Sequence, residues 1–427
     1  MGLRPRRTAP PAARIERPRV LYFSRIDLPS SKANSIQTMN TCLELARAGA
    51  EVVLVVRRLQ CSRRDCFEHY GLPEHPRLRI VCLSLPLPTG FNDWEGPYFR
   101  FYLGSLLRRY RRPGTVLFTR DPAGLDLLHV VRGLRPHVDL PIFFEIHKLA
   151  FLTKASHQEE RGRSLADPRV RTKVDARREQ EAVIYAAADG LVCTSENALQ
   201  LLDEHFPGHA PARVVPNGAR LPESEQIGSE LDDSKRDLDV VYVGQLYRWK
   251  GVDSLIAAMA LLPNRRLTIV GGNDANDAAR AQAHALEAGV ADRVTFVGQV
   301  APAAVGEWLR RARVGVVPLP SAGFVEASTF TSPLKVFELM QAGVPLVASD
   351  LPSIRELVRH GEHALLVTPD DPAALAAGIA RVLDDRALAA RLVHAAALHV
   401  RAYTWERRAE RLLEFIVAPP SMARAEG

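Results

Sequence analysis

Cysteine is scarce in this 427-residue chain: there are five, an odd number. Cys42, Cys82 and Cys193 fall in apolar segments and read as small core hydrophobes. Cys61 and Cys66 flank "SRRD" without a second cysteine pair, so neither a disulfide framework nor a zinc site is indicated. A reducing cytoplasm fits this usage. No run of about 18 apolar residues occurs, which argues against a bilayer-spanning helix. The N-terminal "MGLRPRRTAPPAARIERPR" has no apolar h-region and reads as a disordered basic lead-in over residues 1–17. A full G-x-G-x-x-G after a strand is missing, as is the acidic residue about 20 positions beyond it, which argues against an NAD-dependent oxidoreductase. No Asp-x-Asp cluster follows a strand, so nothing in the sequence asks for a divalent metal. Nor are basic residues interleaved with stacking aromatics in a recognised module, and nucleic acid is not an expected partner.

What is present is an ordinary globular composition, 47% hydrophobic and 25% charged, in a chain too long for one core. The net charge of +7 favours anionic partners. Short continuous apolar runs alternate with helical patterns: "RVLYFS", "EVVLVV", "LRIVCLSL", "TVLFTR", "PIFFEI" and "GLVCTS" in the first half. The alternation restarts with "DVVYVG", "RLTIVGG", "DRVTFVG", "VGVVPL", "PLVAS" and "ALLVT". Such runs suit parallel strands buried on both faces, and the βαβα order predicts an α/β fold with two tandem Rossmann-like domains facing a cleft. The polar stretch "VVPNGARLPESEQIGSELDDSKRD" (214–237) has no apolar period and separates them. The expected organisation is an N-terminal domain at 18–222, a linker at 223–237, a C-terminal domain at 238–400, a helix at 401–418 and a tail at 419–427. In open α/β sheets ligands bind beyond the carboxyl ends of the strands, so the residues just after each strand are the candidates.

Two such segments suit a phosphate. In "VVYVGQLYRWKGVDSLIAAM" (240–259) a strand runs into Gly244, a short loop, Lys250-Gly251 and a helix. Backbone that approaches closely and a point-like cation fit a phosphate there; a solvated lysine at a tight turn is the plain alternative. "IVGGNDAND" (269–277) has a glycine pair after a strand and reads as a turn. In "STFTSPLKVFELMQAG" (328–343), Ser332 is a good N-cap and Pro333 suits the first helical position. Lys335 then sits in a first turn, where the helix dipole disfavours a cation by roughly 0.3–1 kcal/mol. A diphosphate on the free amides near Leu334 and Lys335 would reverse that, with Lys250 and Lys335 neutralising it. Glu338, on the same helical face, could hold ribose hydroxyls; the plain alternative is an i,i+3 ion pair with Lys335.

Taken together these segments resemble a GT-B glycosyltransferase of the large retaining family 4, over roughly residues 18–418. In the C-terminal half the resemblance rests on "YVGQLYRWKG", "VTFVGQV", "SPLKVFELMQAGVPLVASDLPSIRELV" and "YTWERRAERLLEFI". In the N-terminal half it rests on "LPSSKANSIQTMNTCLELARAGAEVVLV", "FTRD", "FEIHKL", "CTSENAL" and "VVPNGA". It implies that Lys250 contacts the donor diphosphate and that Glu338, the second Glu of a Glu-x7-Glu motif, holds the donor ribose. Gly298 and the residues after it fall where the nucleobase packs, and His147 stands near the transferred sugar and the acceptor. The "SSKANS" loop takes the place of a Gly-rich loop facing the donor phosphate. Its Ser31, Lys32 and Asn34, with Arg120 and Glu145, are assigned to the acceptor side, and the terminal helix crosses back to the first domain. Two positions depart from the pattern. Phe330 stands where the first Glu belongs, and Gln245 where an Arg usually accompanies the lysine; Glu326 and Arg248 are the nearby candidates to replace them.

The resemblance implies metal-independent transfer from a UDP- or GDP-linked sugar to a glycan or lipid-linked hydroxyl, by a front-face displacement in which the leaving phosphate takes the acceptor proton. The alternative is a non-catalytic nucleotide-sugar or glycan-binding protein. No cofactor is expected beyond the nucleotide sugar itself. The segment "YFRFYLGSLLRRYRRPG" (98–114) clusters Arg108, Arg109, Arg111 and Arg112 beside apolar residues. Such a helix can lie on an anionic membrane, which would place the protein at the inner face of the cytoplasmic membrane, or can pack its apolar stripe on the sheet.

Overall fold

A computed structural model describes residues 18–82, 97–110, 112–120, 140–160, 162–221, 236–272, 274–321 and 332–417. The lead-in, nearly all of the linker, the tail, Glu326 and Phe330 lie outside the described residues.

Two parallel sheets form the frame. The first runs β3-β2-β1-β4-β5-β6-β7, with β1 Arg19–Leu28, β2 Glu51–Leu59, β3 Leu78–Cys82, β4 Thr115–Thr119, β5 Ile142–Ile146, β6 Gly190–Cys193 and β7 Ala212–Val214. The second runs β10-β9-β8-β11-β12-β13, with β8 Leu238–Val243, β9 Leu267–Val270, β10 Val294–Gly298, β11 Ala312–Val317, β12 Leu346–Ser349 and β13 Leu365–Val367. β4, β5, β6, β9 and β12 are buried at every position, which is why they read as unbroken apolar runs. β7 was not foreseen: its three residues "ARV" are all half-buried and form no apolar run. Cys82, expected in the core, is exposed because it ends β3, the edge strand, whereas Cys66 is buried. The α/β, two-sheet fold expected from the sequence is the one observed.

In both sheets the strand order reverses once, between β1 and β4 and between β8 and β11. The reversal leaves a crevice at the carboxyl ends of those strands. Ser31 to Asn34 follow β1, Arg120 follows β4, Gly244 follows β8 and Pro318 follows β11, so both crevices carry candidate residues.

The chain passes between the domains twice, and the two passages touch. Ala219 bridges Thr404, its N–H donates to the Tyr403 carbonyl at 2.8 Å, and a Cβ on Gly218 would stand 2.6 Å from the Thr404 carbonyl carbon. The terminal helix Trp405–Val417 then packs on helix Ala33–Arg47 of the first domain. Ala409, Leu412, Phe415 and Ile416 join the same apolar core as Val20 and Tyr22, with Phe415 edge-on to Phe143 at 5.5 Å. Helix Pro97–Tyr110 buries Leu103 and Leu107 completely against the first sheet while Arg108 and Arg109 are exposed. These two leucines of its apolar stripe are thus spent on the core.

Candidate active site

A cavity of about 380 Å³ lies between the two crevices and takes its wall from both domains. Ser31, Asn34, Arg120 and His147 come from the first domain; Gly244, Gln245, Lys250, Ser332, Pro333, Leu334 and Lys335 come from the second. Eleven of the sixteen residues singled out from the sequence therefore meet in one place. The others stand nearby or behind. Arg248 is exposed on the 3-10 turn Arg248–Lys250 and is no part of this wall. Lys32 is exposed and lines a neighbouring cavity with Ser31. Gly298 ends β10, where its carbonyl accepts the Gly271 N–H at 2.8 Å, and the wall continues through Gln299 and Val300. Glu338 sits one helical turn behind Lys335, and Glu145 is buried behind His147.

Glycine shapes the floor at two points. Gly251 has φ +72, and a Cβ there would fall 1.6 Å from the Pro318 carbonyl oxygen, so the loop after β8 can lie against the loop after β11 only with glycine at that position. Gly271, from the pair read as a plain turn, has φ +126 and would place a Cβ 2.0 Å from the Gly244 oxygen. It also lines the cavity, so the turn is part of the site. Its position directly after a strand was the available signal.

The helix Leu334–Gln341 begins one residue later than the sequence suggested. Pro333, with ψ 115°, occupies the N-cap position, and no side chain caps the helix. Among the described residues the buried Ser332 hydroxyl has no hydrogen-bond partner, and its carbonyl accepts the Asn217 amide at 3.0 Å. Asn217 is another wall residue that sequence reasoning passed over. Lys335 is paired with Glu338 at 2.6 Å, both side chains about a quarter exposed. The i,i+3 ion pair is thus formed, and it offsets the contrary charge at the helix start. The Lys250 ammonium lies 3.7 Å from the centre of the Trp249 ring, which stacks on Tyr247. Burial, and then the nearby Lys335, lower its pKa to about 7.

Across the cavity, His147 follows β5, and its Nε2 lies 3.0 Å from Glu145 Oε1. Burial and then the Arg120 cation lower the His147 pKa to about 4, so the ring is neutral near pH 7. Burial alone would raise Glu145, but Arg408 and His147 hold it well below the usual carboxylate range. Arg120 donates to Gln37, whose amide donates to Glu145. A second cavity of about 520 Å³ opens beside His147 in the first domain, lined by Arg25, Arg120, Lys148 and Arg177. Glu145 and Glu181 share this lining; Glu145 pairs with Arg408, and Glu181 accepts the Ala150 and Phe151 N–H groups at 2.7 and 2.9 Å.

Residues 35–221 match the family model described as Glycosyltransferase Family 4, and residues 237–385 match the model described as Glycosyl transferases group 1. The D-inositol 3-phosphate glycosyltransferase of Acidothermus cellulolyticus is 31% identical over 323 residues, covering 69% of this chain and 67% of that protein. The chain belongs to the family 4 glycosyltransferases. A second relative, the enzyme of the same name from Corynebacterium glutamicum, is 26% identical to this glycosyltransferase over 88% of the chain and 90% of its own length. Among solved structures, sucrose-phosphate synthase from Thermosynechococcus elongatus superposes with a TM-score of 0.72 at 26% identity, covering 93% of this chain and 98% of that one. Anabaena HepE in complex with UDP shares the fold at a TM-score of 0.65 and 16% identity, covering 93% of this chain and 99% of that one. Two parallel sheets around one cleft are the GT-B arrangement.

Proposed function

We propose that this glycosyltransferase moves a sugar from a nucleoside diphosphate donor to an acceptor hydroxyl with retention of anomeric configuration, without needing a divalent ion. The reading is carried by one observation: Lys250, Lys335 and the start of helix Leu334–Gln341 face His147 across a single cavity. Breaking the sugar–phosphate bond builds negative charge on the β-phosphate. Two lysines and a helix N-terminus stabilise that charge, with Lys335 as the group that must change partner. Bound diphosphate draws Lys335 from Glu338 and frees the Glu338 carboxylate for ribose hydroxyls. The departing phosphate oxygen takes the proton of the attacking hydroxyl on the same face of the sugar, so no carboxylate nucleophile is required. Neutral His147 donates or accepts a hydrogen bond at a sugar or acceptor hydroxyl.

The four cations around the second cavity favour an acceptor that carries a phosphate, in keeping with the acceptor named for the inositol phosphate relatives. A lipid-linked saccharide phosphate and a small sugar phosphate share that chemistry. Replacing Lys250 or Lys335 by Ala is expected to cost about 3 kcal/mol in turnover, the size typical for losing one stabiliser of developing charge. Donor hydrolysis and transfer rates measured for both variants decide it; rates within a few-fold of the parent enzyme exclude the mechanism. Binding of UDP or GDP in a thermal-shift screen with no transfer to any acceptor would instead support a pure binding protein.

A further inference from the structure

We propose that Arg408, on the terminal helix, is a positioning residue for the reacting centre: through Glu145 it fixes the His147 ring in the cleft. The inference rests on the reading above, in which His147 meets the sugar or acceptor.

Arg408 touches nothing in the cavity, yet it is the largest fully buried side chain among the described residues. Its guanidinium is well satisfied. Nε donates to the Thr41 hydroxyl at 3.1 Å, and Nη1 donates to the Val215 and Pro216 carbonyls at 2.6 and 3.0 Å. Nη2 donates to Glu145 Oε1 at 2.5 Å. Both side chains of this pair are 1% exposed or less. One oxygen, Oε1, thereby receives Arg408, accepts the Gln37 amide and stands 3.0 Å from His147 Nε2, while the Tyr22 hydroxyl reaches Oε2 at 3.5 Å. Gln37, Arg120 and His147 all line the cleft, and all three connect to that carboxylate. Gln37 does so by a hydrogen bond and Arg120 through Gln37. His147 does so by the 3.0 Å approach of Nε2 to Oε1, an electrostatic contact whose alignment makes no hydrogen bond.

A buried ion pair is poor evidence for stability, since an apolar pair of equal volume often does as well or better. An apolar pair could not hold His147. Arg408 also ties together three pieces that are distant in sequence: helix Ala33–Arg47, the chain leaving the first domain at Val215 and Pro216, and the carboxylate on β5. Because Arg408 lies beyond the whole second domain in the chain, the acceptor wall of the first domain is complete only when the terminal helix has docked. The charged and titratable groups acting most strongly on His147 are Arg120 after β4, Glu145 on β5 with Tyr22 of β1 behind it, and Arg408 from the terminal helix. Lys148, Arg25 and Arg177 line the cavity beside it, and Lys250 and Lys335 the wall opposite.

The test uses the full chain with Arg408→Met, Arg408→Lys, Glu145→Gln and His147→Asn. The readouts are thermal melting, UDP and GDP binding by calorimetry, acceptor KM against kcat, and the ring titration of His147 by NMR, identified by its loss in His147→Asn. Removing the Arg408 cation leaves Glu145 free to hold a proton on the ring. Arg408→Met is therefore expected to move the His147 midpoint upward, and Glu145→Gln to leave it low or lower it further. Nucleotide affinity should stay within about threefold, while kcat falls about 100-fold, the cost of misplacing a reacting group by about 1 Å. Arg408→Lys, which cannot make all four contacts from one ammonium, should shift the titration partway and recover part of kcat. If Arg408→Met does not fold, Arg408→Lys and Glu145→Gln decide. An unchanged His147 titration and unchanged kcat in folded variants would overturn the proposal and leave Arg408 a packing residue. A shifted titration in Arg408→Lys with parental turnover in His147→Asn would keep the coupling and refute the role given to the histidine in the reaction.

Discussion

Lys250 is the residue whose state links the empty cleft to the occupied one. Burial and Lys335 lower its pKa from 10.5 to about 7, so it is only partly charged at neutral pH before a ligand arrives. A dianionic neighbour favours the ammonium and raises the pKa again. Nucleoside diphosphate binding at pH 8 should therefore take up close to one proton. Calorimetry of UDP or GDP binding in buffers of different ionisation enthalpy measures that uptake directly. Affinity should weaken by up to about tenfold per pH unit above 7. Removing Lys335 raises the resting pKa of Lys250, so the uptake in Lys335→Ala should shrink; enthalpies independent of the buffer would remove Lys250 from the diphosphate site. The same shift acts on folding. Between pH 7 and 10.5 the unfolded chain binds more protons at this lysine than the native protein does, so its contribution to stability rises with pH across that window. His147, neutral in the fold down to about pH 4 against 6.5 when unfolded, likewise contributes stability that is lost as pH falls through that lower window.

The described side chains of helix Pro97–Tyr110 support the packing reading of the two that the sequence left open. Leu103 and Leu107 are fully buried in the core of the first sheet, and the exposed arginines lie on the other side. Leu107→Ala should cost about 2–5 kcal/mol in a denaturant titration, as for a buried leucine, and Arg108→Ala or Arg109→Ala less than about 0.5 kcal/mol. A Leu107→Ala variant of parental stability would mean the stripe is not core. Elements of this kind were readable wherever burial is complete: β9 and β12 of the second sheet are buried at every position and read as short apolar runs. β7 escaped because three half-buried residues carry no pattern, and the start of helix Leu334–Gln341 slipped by one because a proline with extended ψ can precede a helix as well as begin it. The site was legible where backbone geometry forces a residue type, as at Gly251, or where a charge sits against its helix, as at Lys335. Arg408 and Gln37 were not legible. Their partners lie more than 80 residues away, and neither spacing nor composition records a contact of that range.

The two domains are held together by more than the paired passages of the chain. Glu356, just after helix Pro352–Arg355 of the second domain, accepts the N–H groups of Glu196 and Asn197 at 2.9 and 2.7 Å. These are the first amides of helix Glu196–His205 in the first domain, so a carboxylate from one domain caps a helix of the other. Ser195 caps the same helix from within its own domain, through the Ala198 N–H. Loss of Glu356 should therefore leave the helix formed and loosen the contact between domains. Charge-assisted bonds of this kind are worth about 1.5–3 kcal/mol, and a tenfold change in an equilibrium takes about 1.4 kcal/mol. In Glu356→Ala, hydrogen exchange at Glu196 and Asn197 should accelerate at least tenfold. Exchange in β4, β5, β9 and β12 should stay unchanged, and the radius of gyration in solution scattering should rise. Glu356→Gln keeps an acceptor oxygen without the charge and should fall between the two. Unaltered exchange at the two amides in Glu356→Ala would show that the domains keep their arrangement without this carboxylate, and that the Ala219–Thr404 crossing and the docked terminal helix suffice to hold it.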